Sequence, residues 1–185
     1  MRKHLKFRLA NDVSCSIYDP SIFNNSEQLS VKTAVEAIAS ILYNLNNADP
    51  LIKQVTLKAQ DIIDNKIHYD LLTPLTDKLN ELKGLADTSL ALELVNSSEP
   101  HEYVLQGKYN YPVNNQVIRA MLVFDQIIDQ LLYLQATGVF SSKVFYRERK
   151  NIMKMPRRFI LDILTLARRY HDNKKKRLAT IEAAA

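Results

Sequence analysis

The apolar positions open with a period of two. In RKHLKFRLA, residues 2–10, Leu5, Phe7 and Leu9 fall on one side and Arg2, His4, Lys6 and Arg8 on the other. That alternation predicts a strand with one buried face and one wet, cationic face. Asn11 to Gln28, rich in Asp, Ser, Pro and Asn, reads as a loop. The period then lengthens to that of a helix. Val31, Val35, Ile38, Ile41, Leu42 and Leu45 predict a helix capped by Ser30 and running to about Leu45. After the breaker NNADP, a second helix is expected from about Leu51 to Tyr69, with Ile52, Val55, Leu57, Ala59, Ile62, Ile63 and Ile67 on a broad stripe. A third is expected after Pro74, with Leu75, Leu79 and Leu82 in register, ended or interrupted at Gly84.

The second half repeats the order of strand and helix. EYVLQGKY, residues 102–109, predicts a short strand with Tyr103, Leu105 and Tyr109 on one side and Val104, Gln106 and Lys108 on the other. The strongest helical pattern follows, from about Val113 to Ala136, where Val117, Met121, Phe124, Ile127, Ile128, Leu131 and Leu134 recur at three and four residues. Gly138 closes it. Ser141 and Ser142 stand where caps stand, and a basic helix begins there. Pro156 predicts a kink or short break near Lys154, with a further helix from about Pro156 to Tyr170. DNKKKRLATIEAAA reads as a charged, frayed tail. The organisation expected is a strand plus helical segment over residues 1–100, a second segment over 101–172 and a basic flexible tail over 173–185.

Composition narrows the class. Three Gly and six Pro in 185 residues are few for a fold built on many tight turns, so the chain reads as mostly α with a short antiparallel β-ribbon. A single cysteine, Cys15, excludes an intrachain disulfide, and four His without a Cys/His cluster give no metal-ligand spacing. No stretch reads as a signal peptide or a membrane span, which makes the cytoplasm the expected compartment and no membrane contact the expectation. Charge is unevenly distributed. Residues 140–185 hold 13 Lys/Arg and 4 Asp/Glu, net +9, whereas residues 1–139 are net −4. A one-sign block at one end is the footprint of contact with nucleic acid or an anionic membrane, and a solubilising tail gives the same count.

The basic helix concentrates that charge. Lys143, Arg147, Arg149, Lys150, Lys154, Arg157 and Arg158 face a single acid, Glu148, with Phe145, Ile152 and Phe159 as anchors in the core. Lys143, Arg147, Lys150 and Lys154 follow steps of four, three and four, so they form one stripe suited to phosphates. Sites for catalysis are missing: no G-x-S-x-G occurs, no Gly-rich phosphate cradle occurs, and the acid pairs Asp61/Asp64 and Asp125/Asp129 suit solvated or capping roles. No enzyme activity, cofactor or metal is expected. Strand, helix, Gly-containing turn and Ser-capped basic helix is also the order of ribbon-helix-helix DNA binders. There, one strand from each of two protomers forms a ribbon in the major groove and the second helix holds a phosphate at its N-terminus. Gln106 and Lys108, at i and i+2, could read adenine and guanine from such a ribbon. Lys6 and Arg8, with Arg2 and His4, form a competing ribbon of the same design, and the residues do not choose between them.

YPVNNQVIRAMLVFDQIIDQLLYLQATGVFSSKVFYRERKNIMKMPRR resembles the AcaB family of conjugation regulators encoded on plasmids and on integrative and conjugative elements. The resemblance lies in an aromatic–Pro segment, a helix with a Phe-Asp pair, a Gly turn and a Ser-started basic helix. The N-terminal strand and the helical segment after ADP fit the same layout. By position the Phe-Asp pair is Phe124 and Asp125, the turn is Gly138 and the caps are Ser141 and Ser142. The resemblance implies a ribbon-helix-helix-like intertwined homodimer that binds double-stranded DNA and activates transfer genes, with other transcription machinery as a further partner. The rival expectation is a non-enzymatic interaction protein of a conjugation apparatus whose basic face meets an acidic partner.

Overall fold

The computed structural model describes residues 3–24, 29–86 and 99–184, with side chains as far as Ala179. Arg2 and the end of KGLADTS lie outside the described residues. Two strands and six helices follow in the order β1 (Leu5–Leu9), α1 (Asp12–Tyr18), α2 (Val31–Leu42), α3 (Pro50–Asn65), α4 (Thr73–Leu85), β2 (His101–Leu105), α5 (Pro112–Ala136) and α6 (Ser142–Ala184). Short 3₁₀ turns at Pro20–Phe23, Tyr43–Asn46 and Gly107–Tyr109 and a π-helical segment at Lys66–Leu72 link them. The chain is therefore mostly helical, with a two-stranded antiparallel sheet.

The two candidate ribbon strands pair with each other. β1 and β2 run antiparallel, with Leu5 opposite Leu105, Phe7 opposite Tyr103 and Leu9 opposite His101. The period-two pattern of β1 survives intact: Phe7 and Leu9 are buried, Lys6 and Arg8 exposed. Phe7, Tyr18 and Tyr103 form an aromatic cluster with ring centroids 4.7 to 5.5 Å apart, which seats the ribbon on α1. Two features suggested a partner chain, namely the unpaired strand and the apolar stripe of α5. Both are satisfied within one chain here, because β1 supplies the ladder and α4, α6 and α1 cover α5.

Several expectations about the elements change, mostly where packing overrides a local signal. Asn11–Gln28 is not all loop: α1 forms because Ser14, Cys15, Ile17 and Tyr18 are buried against the core. The break between Tyr69 and Pro74 is absent, and α3, the π segment and α4 follow one another without a gap. A proline ring collides with the carbonyl four residues earlier, here that of Asp70, and a π turn just before Pro74 widens the helix at that point. Strand β2 stops at Leu105, so Gln106 lies just before the following 3₁₀ turn and Lys108 within it.

Helix α6 departs furthest from expectation. It passes Pro156 without a break and continues to Ala184. Pro156 removes one ladder bond, but it is buried, as are Ile152, Phe159, Ile160 and Ile163 around it, and that burial outweighs the loss. Residues just ahead of the part expected to fray, and Lys174 within it, are bonded to neighbouring elements. Tyr170 Oη lies 2.6 Å from buried Thr56 Oγ1 on α3, His171 Nε2 lies 2.9 Å from Ser40 Oγ on α2, and Lys174 Nζ donates to Asn44 Oδ1 at 2.6 Å. Nearer its start, Lys66 Nζ donates to Asp162 at 2.8 Å, and Lys78 Nζ of α4 lies 3.1 Å from Glu148.

Asp125 fixes the entry of the chain onto α5. Its buried carboxylate accepts the backbone N–H of Ala10 at 2.8 Å, that of Asn11 at 3.1 Å and the Asn11 amide at 3.0 Å. The Asn11 amide also reaches Asp129 at 3.1 Å, so the second acid pair of the sequence clamps the junction of β1 and α1. Asn11 accordingly makes no side-chain cap on α1.

Two outcomes are expected. Asp125→Ala leaves two backbone N–H groups without acceptors and should lower unfolding free energy by about 2–4 kcal/mol in urea titration, with Asp125→Asn, which keeps an acceptor oxygen, losing less. The second concerns Glu148, whose side chain is 16% exposed beside Lys78 at 18%. Burial raises its carboxyl, but Lys78 and Arg147 more than offset this and hold it below its ordinary value. A depressed carboxylate contributes stability that is full above its unfolded pKa of about 4.5 and is lost as pH falls through the folded value. Glu148→Gln should thus cost about 1–2 kcal/mol at pH 7, and the difference from the parent should vanish toward pH 3.

Candidate nucleic-acid interface

The cationic stripe of α6 is made by a division of faces. Phe145, Ile152, Pro156, Phe159, Ile163, Ala167 and Tyr170 fall on the buried side. With 3.6 residues per turn, Lys143, Arg147, Lys150, Lys154, Arg157 and Arg158 fall on the opposite side, and all six are exposed. The acids of this stretch do not lie among them. Glu148 turns toward Lys78 and Asp162 toward Lys66, lysines carried by other elements. Lys66 is correspondingly held above its ordinary value, first by the hydrogen bond it donates to Asp162.

That exchange leaves the stripe uncompensated. Among the described residues, Lys143, Arg149, Lys150, Lys154, Arg157 and Arg158 make no ion pair; Lys154 bonds Asn151 at 3.2 Å and Arg147 reaches Glu148 at 3.3 Å. Apart from Arg147, each therefore offers its charge to solvent and can meet a phosphate without first breaking a salt bridge. Arg149 sits apart from the stripe, half-buried on the flank.

Two aromatic residues border the cations. Tyr146, with Arg149, Lys150, Met153 and Arg157, lines a shallow depression of about 210 Å³. On the other flank, a cleft of about 340 Å³ is lined by Lys66, Tyr69, Asp70, Lys154, Arg158 and Asp162 among others. Tyr69 and Lys66 come from the π segment, and sequence reading missed both because they sit some 90 residues from the stripe. Tyr146 could have been found, since it lies within the basic helix one turn from Lys150.

Of the two expected caps only Ser141 accepts a helix N–H, and Ser142 is already the first residue of α6. Ser141 Oγ accepts the Val144 N–H at 3.4 Å, and Ser142 Oγ accepts from the Gln135 amide at 3.4 Å. Gly138 takes φ +78°, a value that favours glycine, and the chain reverses there between α5 and α6.

The ribbon is built differently from either design read in the sequence. Lys6 Nζ and Arg8 Nη2 both bond the Glu102 carboxylate of β2, at 3.0 and 3.3 Å. Hydrogen bonding from Lys6, then from Arg8, keeps Glu102 below its ordinary value. The outward charge of β1 is thereby partly cancelled across the strand pair. Gln106 and Lys108 do not share that face. They border an open depression beside His4, and Lys108 Nζ lies 4.7 Å from the centre of the Tyr109 ring. The structure thus gathers the α6 cations into one surface and separates them in the fold from Lys6 and Arg8 on β1, which packs against α1 and α5, and from Gln106 and Lys108 after β2.

Among the described residues no helix is long and apolar enough to cross a membrane. Within the same residues, no three His, Cys, Asp or Glu side chains are placed to hold a metal ion.

No protein-family model matches the chain, and no curated protein matches it in sequence. Among solved structures it is similar to selenomethionine-containing AcaB from uropathogenic E. coli, with a TM-score of 0.66, 14% identity, and coverage of 100% of this chain and 89% of that one. A likeness at that identity is one of fold, and the chain has an AcaB-like fold.

Proposed function

We propose that the protein is a DNA-binding regulator of transcription that activates conjugative-transfer genes, acting as a cytoplasmic homodimer on double-stranded DNA without cofactor or catalysis. The observation that carries the DNA contact is the stripe of Lys143, Arg147, Lys150, Lys154, Arg157 and Arg158, exposed on one face of α6 while Glu148 and Asp162 are turned toward Lys78 and Lys66. Solvated helix faces ordinarily mix signs, and their cations pair within the helix. The regulatory part of the reading rests on the AcaB-family resemblance of residues 111–158, with which the AcaB-like fold agrees. Homodimerisation belongs to the same resemblance.

The geometry also shifts where reading of bases is sought. Lys6 and Arg8 would have to leave Glu102 before meeting a base, and Gln106 and Lys108 lie beyond the strand. In this proposal the α6 stripe therefore supplies most of the affinity, and any contribution from the ribbon is confined to discrimination between sequences.

Binding measured by fluorescence anisotropy should be steeply salt-dependent, with log K falling against log salt at a slope of roughly −4 or steeper. Lys150→Ala or Lys154→Ala should weaken all duplexes about equally and make that slope shallower by about 1, whereas Lys6→Ala and Arg8→Ala should leave non-specific affinity within about twofold. A response to salt that is flat, with the fold intact by circular dichroism, would remove the phosphate contact and leave an acidic protein partner as the alternative. Light scattering at micromolar concentration should return twice the 21.3 kDa chain mass.

A further inference from the structure

The exposed row of α6 does not end at Arg158. Continuing by steps of three and four it passes Leu161, Thr165, Arg168, Asp172 and Lys175, and every one of these is exposed. Arg169 stands beside Arg168 on the same outward side. The helix is unbroken from Ser142 to Ala184, so Lys143 and Lys175 lie on one continuous helix. At 1.5 Å per residue they are about 48 Å apart along its axis.

The charge along this row is bipartite. Residues 143–158 carry six outward cations, and residues 168–175 carry Arg168, Arg169 and Lys175 with Asp172 as the acid among them. Between Arg158 and Arg168 the helix has no Lys or Arg; Leu161, 54% exposed, and Thr165 occupy the outward positions. That neutral interval is about 15 Å long. The basic residues of the same region that face inward are already engaged, since Lys174 bonds Asn44 and Arg177 approaches Asp49 at 3.8 Å. Arg168, Arg169 and Lys175 make no ion pair among the described residues.

A helix of this length cannot remain within one groove of B-DNA, because the groove winds around the axis once in about 34 Å. It must cross the backbone. The major groove is about 12 Å wide, close to the neutral interval, so a helix crossing it meets phosphates on either side and uncharged groove between them. Resting on the reading that the α6 stripe binds DNA, we infer that α6 lies across the duplex as a two-point clamp. Lys143–Arg158 holds one phosphate strand and Arg168, Arg169 and Lys175 hold the strand across the groove; with the helix crossing obliquely, full engagement needs about 10 to 14 base pairs at about 3.4 Å each.

Duplex length tests the clamp. The full chain and its Arg168→Gln, Arg169→Gln, Lys175→Gln triple variant would be titrated against an 8-base-pair hairpin, about 27 Å long, and a 24-base-pair duplex, across a salt series. Glutamine keeps helix propensity, and circular dichroism would confirm the fold. The clamp requires the triple variant to lose about 2 to 3 from the salt slope on the long duplex and less than about 0.5 on the short one. Equal losses on both lengths, or none on either while Lys150→Ala still weakens both, would overturn it and leave the α6 contact standing. Absence of binding by the parent chain to either duplex at low salt would instead defeat the proposed function, and the clamp with it.

Discussion

The carboxylate of Asp125 sits in the middle of the longest buried helix and accepts three N–H donors from the junction of β1 and α1. A buried carboxylate of this kind is tolerated only when its lone pairs are satisfied, and here the donors come from residues 115 positions away in sequence. The consequence is a fixed origin for the fold. Ala10 and Asn11 are pinned to α5 between β1 and α1, and the aromatic cluster of Phe7, Tyr18 and Tyr103 ties β1, α1 and β2 together. Phe124, the neighbour of Asp125, is fully buried, so the Phe-Asp pair combines an apolar anchor with a polar latch.

On this frame α6 has two faces with different obligations. Its inner face binds α2, α3 and the π segment through buried Phe145, Ile152, Phe159, Ile163 and Tyr170 and through side-chain bonds from Thr56, Ser40 and Asn44. Those contacts hold a 43-residue helix continuous across a proline. Glu148 and Asp162 are turned toward lysines of the inner layer, and the net effect between Lys143 and Asp162 is an outward face left with cations. Stability and surface chemistry are thus coupled, because Lys66 and Lys78 both hold the helix down and remove the acids that would neutralise its outer row.

Much of this was legible in the chain. The alternation of Leu5, Phe7 and Leu9, the Ser30 cap, the three-and-four spacing of α5 and the stripe from Lys143 to Lys154 appear in the structure at their expected places, because each depends on neighbours within a few residues. The Ser30 cap is even reciprocal, its hydroxyl accepting the Thr33 N–H at 3.2 Å while Thr33 accepts the Ser30 N–H at 3.1 Å. Misreadings cluster where a long-range contact outvotes a local signal: Pro156 lies inside a helix because its surroundings are buried, and Asn11–Tyr18 is partly helical because four of its side chains join the core.

The sequence by itself determined which residues are apolar on one side, where helices start, and that cations accumulate after residue 140, since periodicity, capping and charge are properties of short stretches. Only the tertiary structure decided which strand pairs with which, that Glu102 quenches Lys6 and Arg8, and that Glu148 and Asp162 leave the basic row to meet Lys78 and Lys66. These pairings join positions about 70 to 100 residues apart. No local pattern encodes such distances, and whether a charge is free or spent is settled by the neighbour that folding brings to it.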